Sequence, residues 1–382
     1  MSTIVCADNF MCGITLSISK NRDVYSCGWH HLGAHGFSEN ILEFTQIPLL
    51  KNITSVAFGI SSAVFLDLDG NVFTFGSNTH GQLGIGKDKF SLSKSTYPLK
   101  VDLPPIKQIS SGNYFIMCVS EDNELFCFGN NRDGILGLGS NEESYFSPQK
   151  IESLKEIEFV ECAGNRTFCK TFNNEFFCWG INDAGQLGIG NTDCQNIPIK
   201  CDDWPRDVVD IKGGNLHTLL LTENQQVFSC GRNINNELGR ESDGIFSSSF
   251  ELIPELENIV RIECGQYSSI CIDIDNAIYI FGDNTYDQLG LHDNLPHYYY
   301  NSKVPIKHPT VSNIIDVSSG GRHAFVKTSN NEIYAFGCNK YSQLGIETKF
   351  ANRKSPIRIL KEKEDIWFSN IHRKSQAKSA RN

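Results

Sequence analysis

The sequence lacks the long apolar runs and the basic excess that would point to a membrane or a nucleic acid. No stretch approaches the roughly 18–20 apolar residues that a membrane helix needs, and residues 1–22 carry no basic leader. Lys and Arg number 34 against 44 Asp and Glu, giving a net charge of −10 over 382 residues. That balance disfavours sequence-independent binding to phosphates. We therefore expect an intracellular protein, of the cytoplasm or the nucleus, that contacts no membrane.

Metal-binding spacings are also missing, although the chain has 14 cysteines. There is no C-x-x-C pair, and close pairs such as Cys162 and Cys169 lack the spacing of zinc sites. Other cysteines, such as Cys127 and Cys178, fall at equivalent points of the repeat described below. That placement is typical of small buried hydrophobic residues on strands. We predict no metal and no cofactor, with disulfides as the alternative for the thiols.

No catalytic motif stands out. Ser/His/Asp orders, HExxH strings and paired carboxylates are not found. The string GQLGIGKD (Gly81–Asp88) approaches a phosphate-binding loop, but it places the Asp88 carboxylate where a hydroxyl should hold magnesium. Related copies of this string lack the lysine, and no helix pattern follows it. We predict a protein without catalytic chemistry of its own.

What the chain does contain is a repeat of about 51 residues. FTFGSNTHGQLGIG (73–86) and FCWGINDAGQLGIG (177–190) are two of six clear copies, and YSCGWHHLGAHGF (25–37) is a degenerate first copy. A glycine that we call the anchor aligns all seven copies: Gly28, Gly76, Gly129, Gly180, Gly231, Gly282 and Gly337.

A second glycine recurs upstream of the last six anchors at a nearly constant spacing. These upstream glycines are Gly59, Gly112, Gly164, Gly214, Gly265 and Gly320. Two apolar segments, separated by a polar turn, lie between each upstream glycine and its anchor. Each repeat is therefore built on a β-hairpin.

The segment after each anchor has its own pattern. Five residues beyond the anchor, most copies carry Gly, Asn, Asp or Ser, which tolerate a left-handed backbone and predict a sharp turn. A leucine follows two residues later, and we predict that it packs between neighbouring sheets. These leucines are Leu83, Leu136, Leu187, Leu238, Leu289 and Leu344.

Seven all-β units without helical periodicity predict a seven-bladed β-propeller, with a linear solenoid as the alternative. We expect residues 1–370 to form this single propeller. The first copy starts close to the N-terminus, so we predict that Pro356–Asn370 completes the first blade. N- and C-terminal strands would then share one blade and close the ring. Residues 371–382 form a short basic tail that we expect to be disordered; contact with nucleic acid is the alternative.

The strings GNLHTL (214–219), GGRHAFV (320–326) and WGINDAGQLG (179–188) resemble the repeat of the RCC1 (regulator of chromosome condensation) family. The resemblance covers essentially the whole chain and implies a seven-bladed propeller. The founding member is a guanine-nucleotide exchange factor for the small GTPase Ran, and other members are scaffolds or GTPase regulators. The resemblance therefore implies a protein-interaction propeller, a monomer that regulates a Ran-like or other small GTPase. The alternative is a scaffold or adaptor without exchange activity.

A docking face follows from the hairpin geometry. The start of the first strand and the end of the second meet at one edge, so the turns after the upstream glycines and the loops after the anchors should share a face. We predict that its partner-binding residues are Asn113, Tyr114, Asn165, Arg166, Asp183, His217, Tyr267 and Arg322. Further loop candidates are Tyr298, Tyr299 and Tyr300, and the pair Phe246 and Phe250. Ordinary solvated turns are the alternative.

Two features depart from the family's exchange surface. That surface carries acidic and histidine side chains, whereas the second residue after each upstream glycine is never a carboxylate or a histidine in this chain. The wedge that the founding member inserts in its third blade is missing from the short segment 139–148. His217 and His323 share a repeat position with Phe115, so we predict that they are structural side chains rather than a shared catalytic base.

Overall fold

Seven four-stranded antiparallel sheets follow one another along the chain and form the blades of a propeller. The structure, a computed structural model, describes residues 3–6, 13–28, 36–37, 39–86, 92–291, 302–346 and 352–359. In each blade the strands pair in chain order, from an inner strand at the central channel to an outer strand at the periphery of the propeller. The predicted all-β, seven-bladed architecture is confirmed.

The first four blades are built by sixteen strands. Blade 1 consists of β1 (Thr3–Cys6), β2 (Ile14–Ile18), β3 (Val24–Gly28) and β4 (Ile41–Gln46). Blade 2 consists of β5 (Ile53–Phe58), β6 (Ser62–Asp67), β7 (Val72–Ser77) and β8 (Lys94–Lys100). Blade 3 consists of β9 (Ile106–Ser111), β10 (Phe115–Ser120), β11 (Leu125–Asn130) and β12 (Ser144–Lys150), with one 3-10 turn at Arg132–Gly134. Blade 4 consists of β13 (Ile157–Ala163), β14 (Arg166–Thr171), β15 (Phe176–Gly180) and β16 (Gln195–Lys200).

The remaining three blades repeat this plan. Blade 5 consists of β17 (Val208–Gly213), β18 (His217–Thr222), β19 (Val227–Arg232) and β20 (Phe246–Leu252). Blade 6 consists of β21 (Ile259–Cys264), β22 (Ser268–Asp273), β23 (Ile278–Gly282) and β24 (Ser302–Lys307). Blade 7 consists of β25 (Ile314–Ser319), β26 (His323–Thr328), β27 (Ile333–Cys338) and β28 (Asn352–Arg358).

The ring closes between blade 7 and blade 1, whose inner strands β25 and β1 are in contact. The prediction that a C-terminal strand completes blade 1 is wrong, because β28 pairs with β27 inside blade 7. Thr3–Cys6 supplies the inner strand of blade 1, and all four of its residues pair with β2. The rest of the predicted closing segment, residues 360–370, lies outside the described residues.

Side chains bond the seam between blades 7 and 1. Thr15 Oγ1 donates to the carbonyl oxygen of Gln343 at 2.7 Å and lies 2.9 Å from Nε2 of His323. Because the hydroxyl proton goes to the carbonyl, the imidazole must donate its Nε2–H to Thr15. Phe44 packs edge-on against Phe325, with 6.5 Å between ring centroids. These contacts hold the ring shut without a shared blade.

Thr15→Val is expected to lower the free energy of unfolding by about 2 kcal/mol. Valine keeps the volume but leaves the His323 N–H buried without a partner, and such a loss costs about 1–3 kcal/mol. The Gln343 carbonyl retains only the weak thiol donor of Cys27 at 3.6 Å. Urea unfolding followed by fluorescence measures the change. The matched control is Thr45→Val, an exposed threonine in the same blade, which should change stability by less than about 0.5 kcal/mol. Equal effects of the two substitutions would contradict this account of the seam.

In blades 2 to 7 the segment after the anchor has the predicted form. All six predicted leucines are 0% exposed, and the position five beyond the anchor has a positive φ in blades 2 to 7, from +61° to +78°. An asparagine two residues after the anchor shapes the loop, since its Oδ1 accepts the N–H of that leucine. The six bonds join Asn78 to Leu83, Asn131 to Leu136, Asn182 to Leu187, Asn233 to Leu238, Asn284 to Leu289 and Asn339 to Leu344.

Nearly all of the cysteines whose side chains the structure describes lie in the core. Of the twelve whose side chains the structure describes, eleven are buried and Cys194 is exposed; all twelve are free thiols. The prediction of buried hydrophobic thiols is confirmed for those eleven. Burial raises the pKa of Cys162 to about 12, so this thiol stays protonated.

Candidate docking face

The turns between the first and second strands of blades 2 to 7 surround the central channel at one end; we call them the rim turns. They are residues 59–61, 112–114, 164–165, 214–216, 265–267 and 320–322. Each anchor glycine lies directly against the rim turn of its own blade: a Cβ on Gly129 (φ +111°) would clash with the carbonyl oxygen of Tyr114. The rim turns and the loops after the anchors therefore share one face, as predicted.

Backbone hydrogen bonds link one rim turn to the next. The N–H of Ile60 donates to the carbonyl of Asn113 at 2.7 Å, and the N–H of Asn113 donates to Gly164 at 2.8 Å. Further around the ring, Asn215 donates to Gln266 at 2.9 Å. Because these bonds cross blade boundaries, they fix the relative positions of turns that are a whole repeat apart in the chain.

The rim turn of blade 4 is one residue shorter than the others. Arg166 pairs with the anchor Gly180, as His217 pairs with Gly231, so Arg166 is the first residue of β14 rather than part of the turn. Its side chain is 1% exposed. The prediction that Arg166 contributes to the docking surface is therefore wrong. The physical reason is that Gly164 lies one position closer to its anchor than the upstream glycines of the other blades do.

The buried guanidinium of Arg166 instead donates hydrogen bonds to the rim turn of blade 5. Its Nη1 donates to the carbonyl of Asn215 at 2.8 Å, and its Nη2 donates to the carbonyls of Gly214 at 3.2 Å and His217 at 2.5 Å. Nη2 also donates to the hydroxyl of Thr218 at 3.1 Å. In blades 2 and 3 a backbone N–H bonds the next turn, so in blade 4 the guanidinium takes over that role.

His217 and His323 occupy the same strand position as Arg166 and bond in the same way. Nε2 of His217 lies 3.0 Å from the hydroxyl of Ser269, which itself donates to the carbonyl of Glu237. Burial lowers the pKa of both imidazoles to about 3, with the positive charge of Arg166 adding to the effect on His217. Both rings are therefore neutral at physiological pH. His217 is 1% exposed, so its predicted place on the docking surface is also wrong, whereas the structural role expected for both histidines agrees with these contacts.

The half-buried side chains of the rim turns stack on the loop of the preceding blade. Sequence reasoning missed their partners, which lie one or four residues after an anchor. The three contacts are Tyr114 with His80 at 5.1 Å between ring centroids, Tyr267 with the guanidinium of Arg232 at 5.2 Å, and the guanidinium of Arg322 with the ring of Tyr286 at 3.6 Å. These pairs present aromatic and cationic groups together along the rim.

The other residues predicted for the docking surface differ in their exposure. Asn113 and Asn165 are half-buried in their rim turns, and Asp183 is exposed in the loop of blade 4, where it accepts from Gln186 Nε2 at 3.1 Å. Phe246 is 43% exposed, whereas Phe250 packs edge-on against Trp204. Tyr298, Tyr299 and Tyr300 lie outside the described residues. Asn113, Tyr114, Asn165, Tyr267 and Arg322 thus lie around the rim, and their role in docking stays a prediction.

Charged side chains that the sequence did not single out form ion pairs between the inner strands of neighbouring blades. Lys212 Nζ lies 3.0 Å from Glu161, and Arg261 Nη1 lies 2.6 Å from Asp316. Burial raises the pKa of Glu263 to about 8 despite the nearby Lys212 and Arg261. Among the described residues, no group of three His, Cys, Asp or Glu side chains is placed to hold a metal ion, and no helix is long and apolar enough to cross a membrane.

Comparisons with known proteins agree with this architecture. A model of the "Regulator of chromosome condensation (RCC1) repeat" matches residues 69–119, 122–169, 173–221 and 275–326, and a second model of that repeat matches 53–82, 106–135, 208–237 and 314–343. The ultraviolet-B receptor UVR8 of Arabidopsis thaliana is 26% identical over 298 residues, which are 74% of this chain and 67% of that protein. The E3 ubiquitin-protein ligase HERC2 of Homo sapiens is 29% identical over 350 residues, 87% of this chain. The chain spans only 7% of the length of HERC2.

Solved structures share the fold. Prp20p of Saccharomyces cerevisiae superposes with a TM-score of 0.77 at 20% identity, covering 88% of this chain and 86% of that one. Human WBSCR16 gives a TM-score of 0.77 at 18% identity, covering 88% and 94%. The RCC1 repeat models match more than half of the residues, and the chain belongs to the RCC1 repeat family.

Proposed function

We propose that this protein is an interaction propeller whose rim face binds a folded protein, with a small GTPase as the partner. The observation that carries the proposal is the set of half-exposed Tyr, Arg and Asn side chains on turns that hydrogen bonds fix across blade boundaries. Tyr and Arg are the favoured anchors of protein interfaces, and a rigid surface loses little entropy when it binds. The solved structure of Prp20p is described together with its binding to Gsp1p and histones, which supports a protein partner by analogy of fold.

Nucleotide exchange on such a surface would be indirect. A propeller that binds the nucleotide-free GTPase more tightly than the loaded form shifts that equilibrium by the difference in affinity. The rim would supply binding energy and shape, and no proton transfer by His217 or His323 is required.

A scaffold without exchange activity is the second candidate, and one observation favours it. The last residues of the rim turns are Ser61, Tyr114, Asn165, Leu216, Tyr267 and Arg322. These positions present no carboxylate or imidazole that could compete for the phosphate-binding elements or the magnesium ion of a GTPase.

GDP release from a panel of small GTPases separates the two candidates. We expect at least about tenfold acceleration of GDP release for one GTPase. The double variant Tyr267→Ala/Arg322→Glu should lose this acceleration, because it removes two half-exposed interface side chains. Tyr97→Ala, a substitution of a 67% exposed tyrosine on β8, is the matched control and should retain full activity. Binding of a GTPase without acceleration would establish the scaffold, and the absence of binding to every GTPase would overturn the proposed partner class.

A further inference from the structure

The inner strands of blades 2 to 7 begin at the end of the propeller opposite their rim turns; we call this end the opposite face. Near its start each of these strands contains one bulge residue, an extra residue at which the pairing with the second strand shifts. The bulge residues of blades 5, 6 and 7 are apolar: Val209, Val260 and Ile315. Those of blades 2, 3 and 4 are polar: Thr54, Lys107 and Glu158.

Four exposed apolar side chains lie together on the opposite face, and we call them the apolar patch. Val209, Val260 and Ile315 are 39%, 45% and 42% exposed, and their strands β17, β21 and β25 are in contact. Ile274 is 59% exposed and joins them, because its N–H donates to the carbonyl of Asn258, two residues before Val260, at 2.9 Å. Exposed apolar side chains grouped in this way, with polar groups around them, mark a binding surface.

The loops around the apolar patch are strongly acidic. In blades 5 and 6 the connecting loops and hairpin turns of the opposite face are residues 201–207, 223–226, 253–258 and 274–277. Arg206 is their one basic residue, and their seven acidic residues are Asp202, Asp203, Asp207, Glu223, Glu255, Glu257 and Asp275. Lys200 at the end of β16 lies 3.5 Å from Asp202 and compensates one of them. The equivalent loops of blades 1 and 2, residues 19–23, 47–52 and 68–71, carry three cations and two acidic residues. Charge therefore favours a basic ligand at blades 5 and 6.

The chain leaves the propeller on this same face. Strand β28 runs from Asn352, which pairs with Cys338 beside the anchor, to Arg358 near the hairpin turn of blade 7. Ile359 then donates its N–H to the carbonyl of Ile333, the first residue of β27, at 2.8 Å. Residue 359 therefore lies on the opposite face. Residues 360–382 follow it and lie outside the described residues.

The sequence after residue 359 complements the apolar patch and its acidic surroundings. An apolar cluster comes first, formed by Ile366, Trp367, Phe368 and Ile371. Four cations and no acidic residue follow the cluster: Arg373, Lys374, Lys378 and Arg381. The inner-strand position of blade 1, which a C-terminal strand could otherwise fill, is occupied by Thr3–Cys6. The apolar cluster therefore has no place in the seven sheets.

Residues 360–365 are long enough to bring the cluster to the patch. Neighbouring strands of a sheet are about 4.8 Å apart, so the outer and inner strands of a blade are about 14 Å apart. Six extended residues span about 20 Å. In blade 5 the connecting loop 253–258, of the same length, crosses from the outer strand β20 to the next inner strand. Ile366 can therefore reach Ile315 of blade 7, with the rest of the apolar patch on the adjoining inner strands.

We propose that the C-terminal segment, residues 366–382, folds back on the opposite face. Its apolar cluster covers the apolar patch, and the cations after the cluster face the acidic loops of blades 5 and 6. Trp367 and Phe368 supply most of the buried apolar area, and the charges set the direction in which the segment lies. Such docking would replace the disorder that the sequence predicts for residues 371–382. The site is independent of the rim face.

Hydrogen exchange of the full chain, followed by mass spectrometry, tests this contact. We expect the amides of residues 366–371 to exchange at least about tenfold more slowly than those of an unstructured chain. The double variant Val260→Gln/Ile274→Gln should abolish this protection, because it removes two of the four apolar side chains of the patch. Absence of protection in the wild type, or protection that survives the double variant, would overturn the proposal.

Leu68→Gln is the matched control. Leu68 occupies the hairpin position of blade 2 that Ile274 occupies in blade 6: each N–H donates to an asparagine carbonyl just before an inner strand, at Asn52 and at Asn258. Both side chains are 59% exposed. Leu68→Gln should keep the protection of residues 366–371, because it lies among the loops of blades 1 and 2. Loss of protection in Leu68→Gln alone would place the segment on that side of the ring and contradict the proposal.

A second variant lies in the segment itself and leaves every described residue unchanged. Trp367→Ser/Phe368→Ser should speed hydrogen exchange in residues 253–258 and 274–277 by about threefold or more, because these loops lose their cover. Identical exchange of the two loops in this variant and in the wild type would overturn the proposal even if the patch variant fails to fold.

Carbodiimide crosslinking of the full chain locates the cations. Lys374 and Lys378 should link to Glu255, Glu257 or Asp275 within one chain. Links to other surfaces only, or none at all, would contradict the proposal. An equal mixture of unlabelled and 15N-labelled protein examines a second copy as the source of the segment. Links that join a labelled to an unlabelled copy would show that the segment docks on another molecule, and would overturn the fold-back within one chain.

Discussion

Arg166→Ala is expected to lower the free energy of unfolding by about 3–5 kcal/mol. The side chain donates to three carbonyls of the neighbouring blade, at Gly214, Asn215 and His217. Alanine removes every donor at once. The His217 carbonyl keeps the N–H of Gly214 at 3.0 Å, but the carbonyls of Gly214 and Asn215 lose their donor, and each such loss costs about 1–3 kcal/mol. Alanine also leaves a cavity at a site that is 1% exposed. The loss would fall on the contact between blades 4 and 5, because the shorter rim turn has no backbone donor to replace the guanidinium.

Urea unfolding of two further variants tests whether the loss of stability comes from the hydrogen bonds to these carbonyls. Arg166→Lys keeps the charge, but a single nitrogen cannot reach all the acceptors, so its stability should lie between wild type and alanine. Arg322→Ala removes an arginine from a rim turn where the side chain is half-buried, and should cost less than about 1 kcal/mol. A stability of Arg166→Ala within about 1 kcal/mol of wild type would refute the bridging role.

The sequence reveals the repeat but not the exact position of each residue within it. The spacing of glycines predicted seven blades, the left-handed turn and the buried leucines, because each of these recurs at a fixed position of the repeat. The shift of Arg166 was visible as a shorter spacing between Gly164 and its anchor than in the other blades. The spacing alone does not show which residue leaves the turn. The pairing of Arg166 with Gly180 shows that Arg166 belongs to the strand.

Contacts between blades were the part that the sequence could not supply. Tyr114 meets His80 and Arg322 meets Tyr286 across a blade boundary, and no local pattern states which loop positions face each other there. The prediction of how the ring closes was wrong for a similar reason. Thr3–Cys6 is too short to read as a strand by itself and becomes one by pairing with β2.

The second large effect is on acid stability. Burial lowers the folded-state pKa of His217 and His323 to about 3 and that of His308 to about 4, from an ordinary value of 6.5. Below pH 6.5 the unfolded chain therefore binds protons that the folded chain does not, and stability falls as the pH falls. At pH 5 each histidine is expected to cost about 2 kcal/mol relative to pH 7.5, and the three together about 6 kcal/mol. Unfolding by urea at a series of pH values measures the slope.

Glutamine variants distinguish the effect of the histidines on acid stability from that of groups that stabilise the folded state as the pH falls. The pKa of Glu263 is raised to about 8, so its carboxyl stabilises the folded state as the pH falls toward 4.5 and offsets part of the loss. His217→Gln and His323→Gln keep an amide donor for the hydroxyls of Ser269 and Thr15, but they cannot titrate. Each should therefore remove about 2 kcal/mol of the loss between pH 7.5 and pH 5. Burial also lowers the pKa of His80, a half-buried ring on the rim, so His80→Gln should change the profile in the same direction but by less than either of these variants. Identical slopes in wild type and His323→Gln would mean that the seam between blades 7 and 1 admits a protonated imidazole, and that this seam opens before the rest of the ring unfolds.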